Sequence, residues 1–224
     1  MKYIGIIGNR GSGRETFAWL LGKTLQHQAW SGFDSYPVKF DKWVEEVKKS
    51  KSCIGGGYLY VLESFGGIIT DNIKLMVPTL RELDLSQGSK DLDRKFDMET
   101  LTLDSGENTI RDFIVQYADA AIKRNFGQNF WVLIAEQWAK IKEQDNYSSE
   151  EYIFYWDVKT DEEAAYIHRH NGVLIELSCP ERYRKGGYKK IKNTKPDIYV
   201  ELHKDFVNDC EKIWNLAHSL SSSD

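Results

Sequence analysis

The stretch MKYIGIIGNRGSGRETFAWLLGK at the start of the chain narrows the possible folds more than any other. Tyr3 to Ile7 read as a short buried strand and Gly8 to Gly13 as a glycine-rich turn. From Glu15 onward, Phe17, Leu20, Leu21 and Leu25 recur at helical spacing. Strand, glycine loop and helix in that order build a phosphate-binding loop, whose pattern is G-x-x-x-x-G-K-[ST]. Successive backbone N–H groups turn into one cavity there, and the helix adds its positive end. Gly8 and Gly13 hold the two glycine places, but Arg14 and Glu15 follow instead of Lys and Ser or Thr. Gly8, Gly11 and Gly13 permit close wrapping, and Ser12 keeps the loop small. Arg14 keeps the charge and reach of lysine in a bulkier, planar fork. Glu15 cannot copy a hydroxyl, although a carboxylate holds Mg²⁺ directly or through water, and Thr16 offers a hydroxyl one position later. The stretch is either a phosphate loop of altered chemistry or a tight turn of the same shape.

Strands and helices alternate through the rest of the chain. An extended piece at Phe33–Asp34 leads into an amphipathic helix over about 38–49, and Tyr58–Glu63 and Phe96–Leu103 alternate as strands of a hairpin-like insertion. From Thr109, the residues Ile110, Phe113, Ile114, Tyr117, Ala118 and Ala121 share one helical face. A second helix over Phe130–Lys142 sets Trp131, Ile134, Trp138 and Ile141 on one side. EYIFYWDV (151–158) and GVLIELSC (172–179) read as buried strands flanking a short helix that Asn171–Gly172 closes. His168 and His170 read as exposed helix residues. ERYRKGGYKKIKN (181–193) is a basic, glycine-containing loop or short helices, DIYVEL (197–202) a last strand and DFVNDCEKIWNLAHSL a last helix. This order predicts an α/β fold: a parallel sheet covered by helices on both faces, one domain over 1–224, with 53–105 inserted.

Charge and composition exclude several classes of function. A net charge of -4 gives no whole-surface basic field for nucleic acid, so an anionic ligand must meet local clusters of positive charge. No apolar run suggests a membrane span, and the start of the chain does not read as a signal peptide. Cys53, Cys179 and Cys210 share no metal-ligand spacing and are odd in number, which points to a reduced, cytoplasmic setting.

GNRGSGRETFA resembles the G-x-x-G-S-G-K-D-T-x-A loop of the bacteriophage deoxynucleoside monophosphate kinase family, in which an acidic residue commonly follows the lysine. Four further stretches agree in order. SYPVKFDKW (35–43) resembles that family's A-x-P-x-K segment and places Pro37 and Lys39. TIRDFIVQYADAAIKRNFGQNFWV (109–132) is similar to its R-x-x-x-Q, then R, then W-V helix, with Arg111, Gln116, Arg124 and Trp131 in those places and one extra residue before Gln116. YWDVKTDEEAAYIHRHNGVLIEL (155–177) resembles D-V-R-x-x-x-E-A-x-x-I-x-x-x-G-x-x-I-x-I, and DIYVELHKDFVNDCEKI (197–213) the closing strand and helix. The likeness leaves 53–105 uncovered.

The resemblance implies a P-loop kinase-like sheet and ATP-dependent phosphoryl transfer to a deoxynucleoside monophosphate with Mg²⁺, in a host cytoplasm if the protein is phage-encoded. Such transfer asks mainly for positioning and positive charge. Gly8, Gly11, Ser12, Gly13, Arg14, Glu15 and Thr16 would bind the nucleotide phosphates, with Glu15 and Asp157 toward the metal. Asp157 stands at the tip of an apolar strand, where open α/β sheets face ligands, and a helix N-cap is its other reading. Lys159 takes the place of the family's Arg. Arg182 and Arg184, with the lysines around them, stand where the family carries a lid (181–193); the same run also reads as a solvated loop. Lys39, Arg111, Gln116 and Arg124 would face the acceptor, and 53–105 would form the substrate-side lobe; Arg111 and Gln116 also read as an exposed helix face. Arg14 and Lys159 exchange the shapes of the family's Lys and Arg at constant charge, which suggests that both point into one phosphate site.

Two other functions fit the same residues. One is a phage kinase acting on hydroxymethylated pyrimidine, free or in DNA; the other is a nucleotide-binding protein with weakened turnover. The expected partners are small-molecule nucleotides, DNA only under the hydroxymethyl alternative, and no membrane, with a homodimer left open.

Overall fold

The computed structural model describes residues 1–9, 11–31, 43–45, 60–85, 89–144, 152–182, 191–203 and 209–222. Strand β1 (Lys2–Gly8) leads into helix α1 (Arg14–Ser31), and β2 (Tyr60–Glu63) into α2 (Phe65–Met76). Three short strands follow: β3 (Lys95–Asp97), β4 (Thr102–Leu103) and β5 (Asn108–Thr109). Helix α3 (Ile110–Val115) then runs through a π-helical segment (Gln116–Lys123) to the short α4 (Arg124–Phe126), and α5 (Phe130–Gln144) comes next. The last elements are β6 (Tyr152–Tyr155), α6 (Asp161–Arg169), β7 (Val173–Ser178), β8 (Ile198–Glu201) and α7 (Cys210–Ser221). The chain divides into two compact units, one of Met1–Glu63 with Lys142–Asp224 and one of Ser64–Ile141.

The first unit is built on a five-stranded sheet in the order β2-β6-β1-β7-β8. Every strand pair in it is parallel. This is the predicted α/β class with a parallel sheet, and it is compatible with a P-loop-like fold. Alternation along the strands sends side chains to opposite faces. Ile4 and Ile6, with Phe154, Ile175 and Leu177, join one core with Phe17, Leu20 and Leu21 of α1 and Ile213, Trp214 and Ala217 of α7. A side chain as well buried as Leu20 or Leu21 contributes roughly 1.5–3 kcal/mol. The other face carries α6. The ring of Tyr3 meets that of Tyr166 edge-on at 5.9 Å, and a Cβ on Gly5 would lie 2.9 Å from Ile167. Helices therefore flank both faces.

Several expectations need correction. Tyr60–Glu63 pairs with Tyr152–Tyr155 as an edge strand of the main sheet rather than with 96–103 in an insertion, because its register is set by β6. His168 and His170 are half-buried: His168 Nε2 lies 2.9 Å from Asp197 Oδ2, and His170 stacks on Tyr3 at 4.4 Å. The helix expected over 38–49 and the piece at Phe33–Asp34 lie outside the described residues, except that 43–45 are helical with Trp43 buried.

The second unit has its own core of Ile73, Val77, Leu80, Leu85, Leu92, Phe96 and Ile110. Its sheet is antiparallel, in the order β4-β3-β5. Thr109 caps α3 in a capping box with Asp112, so the helix begins where the sequence predicts. On α5 the buried residues are Trp131, Val132, Ala135 and Ala139, while Trp138 and Ile141 are about half exposed. The buried face thus keeps Trp131 but is rotated from the predicted one toward Val132, Ala135 and Ala139. No helix among the described residues is long and apolar enough to cross a membrane. Cys179 and Cys210 are buried.

Candidate functional site

The glycine turn leaves the carboxyl end of β1, the middle strand of the sheet. Ser12 N–H donates to the Asn9 carbonyl at 3.0 Å, and Phe17 N–H to the Gly13 carbonyl at 2.8 Å, which ties the turn to the first turn of α1. Gly11 and Gly13 have φ of 87° and 83°, the left-handed region that any other residue enters at a cost. Gly8 is required for space. A Cβ there would stand 2.6 Å from the Leu177 carbonyl oxygen and 2.7 Å from Ser12 Oγ. Ser12 is buried, and its Oγ has no hydrogen-bond partner, although a buried hydroxyl normally finds one. Arg14, the first residue of α1, is only 6% exposed, and its Cδ would lie 3.4 Å from that same Gly8 Cβ. Its stem therefore folds back along the loop. Thr16 is half-buried within α1.

One strand across, β6 ends and the chain turns beside β1: Val158 N–H donates to the Ile6 carbonyl at 3.2 Å. This turn presents Asp157, whose side chain is 2% exposed and accepts from Lys159 Nζ at 3.1 Å. Asp157 is not a helix N-cap; Thr160 caps α6, in a capping box with Glu163. Glu163 Oε2 accepts from Lys159 N–H at 2.6 Å and from Thr160 N–H at 3.1 Å. Burial first, and Asp157 second, push the Glu163 carboxyl up to about 7. Glu15 remains solvent-accessible, yet partial desolvation and then Asp157 raise its pKa as well. The glycine loop and the 157–163 turn thus share one electrostatic environment, in which Asp157 acts on Glu15 and Glu163 and holds Lys159.

The predicted loop residues Gly8, Gly11, Ser12, Gly13, Arg14, Glu15 and Thr16 are grouped at this edge, with Asp157 and Lys159 beside them. Arg182 closes a short 3₁₀ turn after β7. Its side chain, Arg184 and Lys39 lie outside what is described. Arg111, Gln116 and Arg124 belong to the second unit. Arg111 is held there by Asp93 at 3.0 Å, and Gln116 and Arg124 are exposed. Gln116 opens the π-helical segment, whose wider turn accommodates more residues than an α turn, and the Trp131 indole donates to the Ala118 carbonyl within it at 3.4 Å. Glu163 escaped the functional reading of the sequence. The T-x-x-E spacing of Thr160 and Glu163 signals a helix cap and does not mark a carboxylate at a site.

Among the described residues no group of three or more His, Cys, Asp or Glu is arranged to hold a metal ion by itself. Mg²⁺ commonly needs only one or two carboxylates plus substrate phosphates, and Glu15 and Asp157 meet that requirement in kind. No protein-family model matches the chain, and no curated protein matches it.

Proposed function

We propose that the protein is an ATP-dependent phosphotransferase acting on a deoxynucleoside monophosphate. The observation that carries this reading is the glycine turn at the carboxyl end of the central parallel strand, with Gly11 and Gly13 left-handed and the buried Asp157 in the turn that follows the neighbouring strand. Ligands of open α/β sheets bind outside the carboxyl ends of the strands, and a turn of this kind offers backbone N–H groups to phosphate. The resemblance of five stretches to the phage deoxynucleoside monophosphate kinases supports the choice of acceptor. Ser12 Oγ and Arg14 line the loop and would meet the nucleotide phosphates. Lys159 would reach the transferring group from its seat on Asp157. The same resemblance assigns Arg111, Gln116 and Arg124 to the acceptor. Mg²⁺, held toward Glu15 and Asp157, would supply charge neutralisation at the phosphates.

Incubation with ATP, Mg²⁺ and each deoxynucleoside monophosphate, with nucleoside diphosphates as the readout, tests the reading. Formation of a diphosphate supports it. Product only with hydroxymethylated pyrimidine nucleotides or DNA transfers the reading to that acceptor. Nucleotide binding with no diphosphate favours a second reading, a binding protein without turnover, which draws on the near-complete burial of Arg14.

A further inference from the structure

Asp161 opens α6, four residues after Asp157, yet its carboxylate serves another part of the chain. Oδ1 accepts from the backbone N–H of Asn193 at 2.9 Å and of Thr194 at 3.1 Å. Oδ2 accepts from Asn193 Nδ2 at 3.2 Å and from Lys192 N–H at 3.4 Å. The Asn193 N–H, ahead of the other bonds, holds the Asp161 carboxyl below the usual carboxylate range. A first-turn aspartate ordinarily answers only the positive end of its own helix. At the other end of α6, His168 Nε2 meets Asp197 Oδ2 at 2.9 Å, and that oxygen also accepts Leu174 N–H at 2.7 Å. Residues 192–197 are therefore fixed along α6 at both ends.

The clip at Asp161 is the one next to the candidate site. The same turn holds Lys159 through Asp157 and through the Glu163 carboxylate. Two basic positions distant in sequence, Lys159 and the exposed Lys192, are thus carried by one hydrogen-bonded assembly. On the premise that the glycine loop handles phosphate, we propose that Asp161 is a positioning residue: it holds the Lys192–Thr194 segment beside Lys159 so that both cations serve one polyphosphate anion. The sign of its effect separates this role from bare electrostatics. Removing a negative charge favours a nearby anion, whereas losing the clip disfavours it.

Calorimetric titration of the full chain with inorganic tripolyphosphate, at low and high salt, tests the proposal. Asp161→Asn binds about tenfold more weakly, with a smaller dependence on ionic strength because fewer cations are engaged. Lys192→Gln, at an exposed position that tolerates change, weakens the unmodified protein but adds nothing to Asp161→Asn. Equal or tighter binding by Asp161→Asn, or full additivity of the two changes, overturns the positioning role. An unaffected Lys192→Gln overturns it too, even if Asp161→Asn does not fold. Absence of tripolyphosphate binding by the unmodified protein overturns the phosphate reading of the loop, and this inference with it.

Discussion

Lys159 Nζ lies 3.1 Å from Asp157 Oδ2, a carboxylate that is 2% exposed and that also acts on Glu15 and Glu163. Asp157 therefore raises the pKa of two further carboxylates, Glu15 and Glu163, while it holds the Lys159 ammonium. Replacing Lys159 by Met leaves Asp157 buried among like charges. The loss of stability is about 1–3 kcal/mol, less than for a fully buried pair because Lys159 itself stays a third exposed. Adding Asp157→Asn to that variant restores part of the loss. Chemical unfolding of the single and double variants measures the coupling.

The raised Glu163 carboxyl makes stability depend on pH in a defined direction. Its folded pKa, about 7, lies above the ordinary 4.5, so the native state keeps a proton that the unfolded chain has released between those values. Stability is highest on the acid side of this window and falls as pH rises through it, by roughly 3 kcal/mol at most. Glu15 is shifted in the same sense. Urea unfolding at a series of pH values should show the fall, and Glu163→Gln should flatten it. A slope unchanged in Glu163→Gln would assign it elsewhere.

Gly8→Ala tests the tight seat of the loop. The new Cβ meets a backbone carbonyl, that of Leu177, at 2.6 Å, and backbone cannot give way as a flexible side chain does. The expected cost is about 1–3 kcal/mol, as for overpacking elsewhere. Loss of ATP binding, measured by calorimetry, should exceed what the lowered melting temperature accounts for.

Arg14 and Lys159 are expected to compensate for each other. Arg14→Lys and Lys159→Arg should each weaken ATP binding, and the double exchange should recover much of the loss, since total charge is kept while fork and point charge change places. Strictly additive effects would mean that the two side chains serve separate tasks.

Arg111 is paired with Asp93 on the surface, with side-chain exposures of 36% and 70%. An exposed pair of this kind is worth about 0–1 kcal/mol, so Arg111→Ala should melt close to the unmodified protein. A fall in affinity for a deoxynucleoside monophosphate in that variant, read by titration, then reports on binding rather than on folding.

Much of the framework is legible in local pattern. The apolar strands at 3–7, 152–155 and 173–178, the glycine turn, and the caps at Thr109, Thr160 and Asn171–Gly172 each carry their signal within a few residues. Asp157 was legible as a strand-tip residue for the same reason. The α5 face was misjudged because Trp131, Trp138 and Ile141 look equally apolar, and only packing decides which of them is covered.

The sequence alone determined that strand, glycine loop and helix follow one another and that Gly8, Gly11 and Gly13 can wrap closely, since short-range sterics and hydrophobic period act within the segment itself. Tertiary structure decided the rest: that Tyr60–Glu63 joins the main sheet, that Lys159 seats on Asp157, that Glu163 is driven toward neutral pH, and that Asp161 reaches Lys192–Thr194. Strand pairing, desolvation and the meeting of distant charges depend on which segments the fold brings side by side. No local pattern of residues carries that information.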